Sequence, residues 1–414
     1  MSALHSELGD LPELGSRHLY PNYRQAPIAI VRGEGSVLWD SAGNRYLDML
    51  AGVAVSALGH AHPKLVAAIA DQAARVIQVS NYYYNEPNVR LAAKLCALTG
   101  MERAFFCNSG TEAIEASLKL TRRYFHAQGQ PERFKVLAFT NSFHGRTLGS
   151  LAVTGQGKYQ EGFGPLPGAL HVPFGDLDAV KRALGPEVAA VIVEPVQGEG
   201  GVLPAPDGFL RALRSLTKET GTLLIADEIQ TGIGRTGTFL ACEKEGVLPD
   251  IVALAKGLAG GVPVGACVVG GRAKGVFKPG NHGSTFGGNQ LAMCGVVTTL
   301  DTVREEGLLE NAAKCGAAML AGLTASLGGL PGVVEVRGMG LMIGIELDRP
   351  CGELVKMGLD AGLVFNVTAD NVVRLLPALV ISESEAREVV ERLVPLVRAF
   401  LAQGATQPKI AAAR

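Results

Sequence analysis

The middle of the chain alternates short runs of apolar residues with longer stretches in which apolar residues recur every three or four positions. The short runs predict β-strands, and the longer stretches predict amphipathic helices. Six strands are predicted here: Arg103–Cys107, Lys135–Phe139, Ala189–Val193, Leu223–Ala226, Ile251–Ala255 and Gly265–Val269. Helices are predicted at Thr111–Phe125, at Phe209–Glu219 and after Gly288. This alternation predicts an α/β fold with helices on both faces of a mostly parallel sheet.

The two ends of the chain have a different pattern. Near the N-terminus a strand-like run is predicted at Ile28–Arg32, and after about residue 301 helices alternate with further predicted strands, Val333–Arg337, Leu341–Glu346 and Val373–Leu376. We therefore predict that both ends form one small α+β domain. The predicted boundaries are 1–57 and 301–402 for the small domain, 58–300 for the large domain and 403–414 for a disordered tail.

Charge and cysteine content exclude several classes of protein. The chain has 38 Lys+Arg and 39 Asp+Glu residues, a net charge of −1, and no basic run, so binding to nucleic acid is not expected. No segment approaches the roughly 18 apolar residues of a membrane helix, and the first ten residues have no signal-peptide core. The seven cysteines are scattered without a Cys-x-x-Cys pair, which favours reduced thiols in a cytoplasmic protein.

Lys256 directly follows the apolar run at residues 251–255. Burial disfavours the charged form of a lysine, and a neutral amine in a dry pocket is a nucleophile toward an aldehyde. Pyridoxal phosphate is an aldehyde cofactor that uses such a lysine. The alternative is a lysine at a strand end that reaches solvent, and for Lys256 alone this alternative is favoured.

A carboxylate at a second strand end supports the cofactor interpretation. The apolar run 222–226 is followed by Asp227 and Glu228, and Gln230 lies three residues after Asp227. A buried carboxylate can keep the pyridine nitrogen of the cofactor protonated, and Gln230 could then reach the ring hydroxyl. Alternatively, Asp227 caps the turn that follows the strand.

Two further segments follow predicted strands. Asn108–Glu112 opens a helix, and the amides and hydroxyls there suit a phosphate, although Ser109 and Thr111 could equally serve as ordinary helix caps. Phe143 could stack on a planar ring and Arg146 could hold a carboxylate, or the two could be a core residue and a surface residue.

Other motifs carry less information. Gly232–Gly237 matches Gly-x-Gly-x-x-Gly, but it does not lie directly between a strand and a helix, so a dinucleotide site is rejected. Gly283–Asn289 is rich in glycine and could supply another phosphate ligand or a flexible turn. His60 and His62 lack an accompanying carboxylate or cysteine cluster, and no metal site is predicted.

Six motifs occur together in this order: Leu58–Pro63, Asn108–Ala113, Phe143–Thr147, Glu194–Gly200, Asp227–Gln230 and Ala255–Gly257. This set resembles the class III, fold-type I pyridoxal-phosphate aminotransferases over about residues 20–401. The segments 80–87 and 155–165 are most similar to the acetylornithine aminotransferases of that class. The resemblance implies a seven-stranded sheet, pyridoxal 5'-phosphate as cofactor and a homodimer with shared active sites.

The resemblance also implies a role for each cofactor-binding residue. Lys256 would bond to the cofactor and later move a proton between substrate and cofactor. Asp227 would pair with the ring nitrogen, Gln230 would contact the ring oxygen, and Phe143 and Ile229 would enclose the ring. Further cofactor contacts are implied at Ser109, Gly110, Thr111, Glu228 and, from the neighbouring subunit, Thr285.

Substrate-binding residues are implied in the same way. Arg146 would hold the distal carboxylate of acetylornithine, and Arg374 would hold the α-carboxylate of glutamate or 2-oxoglutarate. Glu199 would mask Arg374 when an ω-amine is bound. Tyr23 would contact the far end of the substrate, and Ser284, which lies beside Thr285, would reach the substrate from the neighbouring subunit.

The expected reaction is therefore amino transfer from N2-acetylornithine to 2-oxoglutarate in arginine biosynthesis. Ornithine, 4-aminobutyrate or succinyl-diaminopimelate are alternative donors, and an aminomutase or a non-catalytic relative are further alternatives. Val53 and Ala54 are candidates to line the pocket. One departure from the class is Ala378, where many members have proline, and we expect it to alter the loop on the acceptor side slightly without loss of activity.

Overall fold

A computed structural model describes residues 11–404. Its α-helices, in chain order, are α1 (Leu11–His18), α2 (Ala51–Ala54), α3 (Pro63–Arg75), α4 (Glu86–Thr99), α5 (Gly110–Ala127), α6 (Leu148–Val153), α7 (Gly157–Gln160), α8 (Leu177–Ala183), α9 (Phe209–Glu219), α10 (Gln290–Glu305), α11 (Leu308–Leu327), α12 (Glu353–Asp360) and α13 (Glu383–Gly404). Short 3₁₀ helices lie at Ala241–Glu245, Lys256–Ala259 and Gly271–Ala273.

The strands, in chain order, are β1 (Ile30–Glu34), β2 (Val37–Asp40), β3 (Arg45–Asp48), β4 (Arg103–Cys107), β5 (Lys135–Phe139), β6 (Ala169–Val172), β7 (Val188–Val193), β8 (Val196–Gln197), β9 (Leu203–Pro204), β10 (Leu223–Asp227), β11 (Ile251–Leu254), β12 (Gly265–Val269), β13 (Val333–Met339), β14 (Met342–Leu347), β15 (Leu363–Val364), β16 (Asn366–Thr368) and β17 (Val372–Leu375). The six strands predicted for the middle of the chain agree with these bounds to within one residue at each end.

The central sheet has seven strands in the order β4-β12-β11-β10-β7-β5-β6. β12 is antiparallel to both of its neighbours, and the other neighbouring pairs are parallel. The predicted α/β fold with a mostly parallel, seven-stranded sheet is therefore confirmed. The edge strand β6 was not predicted, because its four residues include the polar His171 and form no long apolar run.

Strands β7, β10 and β11 are buried along their whole length. Neighbouring residues of β10 enter different cores, since Leu224 packs in one hydrophobic cluster and Ile225 in another. Each such buried side chain stabilises the fold by roughly 1.5–3 kcal/mol. Because both faces of the sheet are covered, polar chemistry is confined to the strand ends, where Asp227 and Lys256 lie.

The two ends of the chain contribute to common structures. One small sheet has the order β1-β2-β3-β15, in which the C-terminal strand β15 pairs in parallel with the N-terminal strand β3. A second sheet has the order β13-β14-β17-β16. Leu47 and Met49 share a core with residues of the C-terminal part, including Leu323 and Leu341. The domain boundaries themselves stay a prediction.

The predicted disordered tail lies mostly outside the described residues, and Gln403 and Gly404 still belong to α13. All seven cysteines are free thiols. Within residues 11–404, no helix combines the length and the apolar character needed to span a bilayer.

Candidate active site

A cavity of about 470 Å³ lies where the carboxyl ends of β7, β10 and β11 approach the N-terminus of α5. In open α/β sheets ligands bind at this edge. The structure brings most of the predicted site residues to the cavity wall: Ser109, Gly110, Thr111, Phe143, Arg146, Glu199, Asp227, Ile229, Gln230 and Lys256.

Lys256 directly follows Ala255 at the end of the buried run and is half-buried in the cavity wall. Its φ of 41° lies in the left-handed region, which costs a residue other than glycine about 1–3 kcal/mol. Burial lowers the pKa of Lys256 and outweighs the opposite effect of Glu199, while Arg374 adds to the lowering. A larger fraction of this amine is therefore uncharged, as a nucleophile requires.

Asp227 ends β10 and is buried. Its Oδ2 atom lies 2.7 Å from Nδ1 of His144, and its Oδ1 atom accepts a hydrogen bond from the backbone N–H of Ile229 at 3.0 Å. His144 is also buried, and its Nε2 atom has no hydrogen-bond partner within the described part of the chain. No role was predicted for His144, because its neighbours in the sequence do not reveal that it faces Asp227.

Glu194 is a second residue of the cavity wall for which the sequence predicted no role. Its two carboxylate oxygens accept hydrogen bonds from the backbone N–H of Phe143 at 2.9 Å and of Gly198 at 3.3 Å. Burial raises the pKa of Glu194 to about 7, an effect that His144 opposes and Asp227 reinforces. The only sequence signal was its place in the motif 194–200.

The N-terminus of α5 faces the cavity. Ser109 is its N-cap residue, and its hydroxyl accepts a hydrogen bond from the backbone N–H of Glu112 at 3.3 Å. Ser109 is therefore a helix cap, as one of the two interpretations predicted. The same turn also lines the cavity. A Cβ atom at Gly110 would lie 2.9 Å from Cδ1 of Ile229, so a side chain there would displace that residue.

Arg146 is exposed at the cavity and packs against aromatic rings. Its guanidinium carbon lies 3.9 Å from the ring centroid of Tyr159 and 5.5 Å from that of Phe143. Such contacts hold the guanidinium in place without neutralising it. The arginine is therefore positioned to bind a carboxylate that enters the cavity.

Arg374, on β17, is the largest fully buried side chain and is only 1% exposed. Its Nη1 atom donates to Oε1 of Glu199 at 2.7 Å, and its Nε atom donates to Oδ1 of Asn366 at 3.2 Å. Burial alone would raise the pKa of Glu199, but the charges of Arg374 and Lys256 and hydrogen bonds from Arg374 and Gln230 keep that pKa below its usual value. The predicted pairing of Arg374 with Glu199 is present.

Some of the predicted residues do not reach this cavity. Glu228 is buried elsewhere, where its carboxylate accepts hydrogen bonds from the Thr231 hydroxyl and from the backbone N–H of Cys242. Tyr23 is 79% exposed. The wall includes Val55 rather than the two candidates from the same segment, Val53 and Ala54.

Ser284 and Thr285 line a different cavity. Thr285 is exposed, and Ser284 Oγ accepts a hydrogen bond from the side-chain amide of Asn108 at 3.2 Å. Asn108 itself lines the main cavity. Ser284 thus lies close to Asn108, but neither Ser284 nor Thr285 lines the main cavity of the same chain.

Comparison with known proteins identifies the family. The family model described as "Aminotransferase class-III" matches residues 19–397. The chain is a class III aminotransferase. The predicted family is therefore confirmed, and so is the prediction of a pyridoxal-phosphate-dependent transaminase.

The aminotransferase has relatives that match nearly its whole length. It is 50% identical over 384 residues to acetylornithine aminotransferase 1 of Bordetella bronchiseptica, with 92% of this chain and 98% of the relative covered. It is 47% identical over 387 residues to acetylornithine aminotransferase of Nitrosomonas europaea, with coverages of 93% and 98%.

Solved structures match the fold of the aminotransferase over nearly its whole length. Ornithine aminotransferase from Toxoplasma gondii has a TM-score of 0.93 at 34% identity, covering 97% of this chain and 98% of that chain. Acetylornithine aminotransferase from Elizabethkingia anophelis has a TM-score of 0.84 at 34% identity, with coverages of 94% and 98%.

The residues of the aminotransferase fit pyridoxal phosphate, the cofactor of its class. The amine of Lys256 has a lowered pKa and can bond to an aldehyde. Asp227 supplies a buried carboxylate for a ring nitrogen, and the N-terminus of α5 supplies N–H groups for a phosphate. The missing side chain of Gly110 leaves a cradle beside Ile229 that a Cβ atom would fill.

Proposed function

We propose that this aminotransferase transfers the δ-amino group of N2-acetyl-L-ornithine to 2-oxoglutarate, giving N-acetyl-L-glutamate 5-semialdehyde and L-glutamate. Relatives of 45–50% identity named acetylornithine aminotransferase support this donor. The observation that carries the proposal is the ion pair of the buried Arg374 with the partly buried Glu199, in a site where Arg146 has no acidic partner among the described residues.

The two substrates differ in charge next to the reacting carbon. 2-Oxoglutarate has a carboxylate beside its keto group, whereas the δ-carbon of acetylornithine has none. The site must therefore offer a cation to 2-oxoglutarate and neutralise that cation when acetylornithine is bound. Arg374 is the cation, and Glu199 neutralises it by forming an ion pair. Without such a partner, a buried arginine costs about 3–5 kcal/mol.

The far carboxylate of acetylornithine needs a separate partner. Arg146 can bind it with two parallel hydrogen bonds, which the planar guanidinium makes and a lysine does not. Its stacking on Tyr159 keeps the guanidinium at the cavity. Arg146 thus serves the distal carboxylate of either substrate, and Arg374 serves the carboxylate that only 2-oxoglutarate has beside its reacting carbon.

Bound pyridoxal phosphate supplies an aldehyde and a ring that withdraws electrons from the substrate carbon. Lys256 would hold the cofactor through its uncharged amine and would serve as the base that moves a proton. Asp227 would hold its negative charge toward the ring nitrogen, and His144 fixes the orientation of that carboxylate. Phe143 and Ile229 would enclose the ring and exclude water.

The active unit in this proposal is a homodimer with shared sites, in which Thr285 and Ser284 of one subunit complete the phosphate side of the other. Exposure of Tyr82, Tyr84 and Phe286 supports a partner surface in this region. Tyr23 belongs to the entrance of the substrate cavity. Glu228 holds the turn that follows β10, and so affects the cofactor indirectly. We place the enzyme in cytoplasmic arginine biosynthesis.

Free ornithine is the second candidate donor, because ornithine aminotransferases are among the solved structures that match with TM-scores of 0.93 and 0.94. The test is a panel of ω-amines, each assayed with 2-oxoglutarate: acetylornithine, ornithine, 4-aminobutyrate and succinyl-diaminopimelate. The highest kcat/KM should belong to acetylornithine. A preference for ornithine or 4-aminobutyrate would overturn the donor assignment, and turnover without 2-oxoglutarate would indicate an aminomutase.

A further inference from the structure

Helix α6 begins beside the cavity, and its first N–H groups are capped from outside the helix. Thr147 occupies the N-cap position, but its side chain makes no capping hydrogen bond. Instead, Oε1 of Glu115, on α5, accepts hydrogen bonds from the backbone N–H of Gly149 at 3.0 Å and of Ser150 at 3.1 Å. An N-cap side chain ordinarily accepts a hydrogen bond from one of these two groups.

The Thr147 hydroxyl is therefore available for other contacts. It donates to Oε1 of Glu115 across 2.5 Å and lies 3.0 Å from the hydroxyl of Thr111 and 2.8 Å from that of Ser150. The Thr111 and Ser150 hydroxyls are 2.6 Å apart. Because an ionised carboxylate only accepts, Thr147 gives its proton to Glu115 and can accept from its hydroxyl neighbours. Glu115 thus orders three hydroxyl groups.

Two residues of the proposed site lie at the edges of this network. Thr111 lines the cavity at the start of α5, one helical turn before Glu115 on the same face. Arg146 directly precedes Thr147 in the chain. Gly149 permits the close approach, because a Cβ atom there would lie 2.5 Å from Oε2 of Glu115.

We propose that Glu115 is a positioning residue that fixes Arg146 and the Thr111 hydroxyl relative to one another. This inference rests on the proposed function, in which Arg146 binds the donor carboxylate and Thr111 binds the cofactor phosphate. Loss of Glu115 weakens binding of the donor and of the cofactor, and it also weakens binding of 2-oxoglutarate, whose distal carboxylate would reach Arg146 as well. A residue that only capped α6 would lower the stability of the fold without lowering the retention of the cofactor.

The test compares Glu115→Ala with Glu115→Gln in the holoenzyme. Alanine leaves three donors without their acceptor, whereas glutamine keeps a carbonyl oxygen for them. For Glu115→Ala the KM for acetylornithine should rise about tenfold, and the KM for 2-oxoglutarate should rise as well. Retention of pyridoxal phosphate during gel filtration, measured by absorbance, should also fall. Glu115→Gln should resemble the wild type in all three measurements.

Glu132→Ala, at an exposed position, is the matched control and should change none of these values. Gly149→Ala disturbs the same contact, because its Cβ atom would push the Glu115 carboxylate away. This variant replaces Glu115→Ala in the test if Glu115→Ala does not fold. Unchanged donor KM and cofactor retention in Glu115→Ala, or a Glu115→Gln enzyme as impaired as Glu115→Ala, would overturn the proposal. A wild-type enzyme inactive on acetylornithine would refute the proposed function, while cofactor retention would still test Glu115.

Discussion

The Nη1 atom of Arg374 lies 2.7 Å from Oε1 of Glu199, although the two residues are 175 positions apart in the chain. Arg374 belongs to β17 in the sheet near the C-terminus, and Glu199 lies in the segment between β8 and β9, which follow β7 of the central sheet. The ion pair therefore joins the sheet that contains β17 to the segment between β8 and β9, at the wall of the cavity. In the proposed function, this pair lets one cavity serve substrates with and without a carboxylate at the reacting carbon.

Replacing Glu199 with glutamine should separate the two half-reactions. Glutamine keeps a hydrogen-bond acceptor but removes the charge that hides Arg374, so kcat/KM for acetylornithine should fall about 10- to 100-fold. The KM for 2-oxoglutarate should not rise, because its binding site is left open. Glu335→Gln, which removes a partly exposed carboxylate from Arg337, is a suitable control. Equal losses with both substrates would contradict the masking role.

Replacing His144 with alanine should weaken binding of pyridoxal phosphate. The buried Asp227 carboxylate would lose a hydrogen bond worth about 1.5–3 kcal/mol, so the dissociation constant should rise about 10- to 100-fold. Titration of the apoenzyme with cofactor, followed by absorbance, measures this constant. His126→Ala, at an exposed histidine, should have no effect. Unchanged affinity in His144→Ala would mean that Asp227 needs no support.

Replacing Arg146 with lysine should raise the KM for acetylornithine about tenfold or more, because an ammonium cannot reproduce a two-point contact with a carboxylate. The KM for 2-oxoglutarate should also rise, because its distal carboxylate would contact Arg146, but its second carboxylate keeps the unaltered Arg374. Steady-state kinetics with each substrate varied in turn measures both constants. A rise in the KM for 2-oxoglutarate alone would show that Arg146 does not bind the carboxylate of acetylornithine.

Glu194 should make the stability of the enzyme depend on pH. Burial raises the pKa of this acid in the folded protein to about 7, so the fold favours the protonated form. This contribution is present below the ordinary pKa of glutamic acid and is lost as the pH rises through about 7, by up to about 3 kcal/mol. The free energy of unfolding of Glu194→Gln should therefore fall less than that of the wild type between pH 5 and pH 8.

Denaturant unfolding of both proteins at the two pH values tests this expectation. Glutamine can keep the acceptor for Phe143 and loses only the longer contact with Gly198 at 3.3 Å. Parallel pH profiles for the two proteins would show that Glu194 is ionised throughout this range.

The central sheet could be predicted because its strands are buried on both faces and therefore appear as unbroken apolar runs. Residues directly after such runs lie at one edge of a parallel sheet. For this reason Asp227 and Lys256 could be placed in one site from the sequence. The pairing of Arg374 with Glu199 came from the family resemblance, since nothing in the local pattern connects residues that lie 175 positions apart.

Other parts of the site could not be found in this way. His144 meets Asp227 across 83 positions of the chain, and Glu194 meets Phe143 across 51. Neither distance leaves a local pattern. Glu228 was expected at the cofactor beside Asp227, but successive residues around a strand end point to opposite sides, so only Asp227 faces the cavity. Tyr23 and Thr285 are exposed in one chain, and their roles depend on a partner subunit.

Reduction of the holoenzyme with borohydride, followed by peptide mass spectrometry, tests the central claim most directly. The reagent makes the bond between the lysine and the aldehyde of the cofactor permanent. A single pyridoxyl group should be found on Lys256, and none on the remaining lysines. A label on a different lysine, or no label in an active enzyme, would contradict the account.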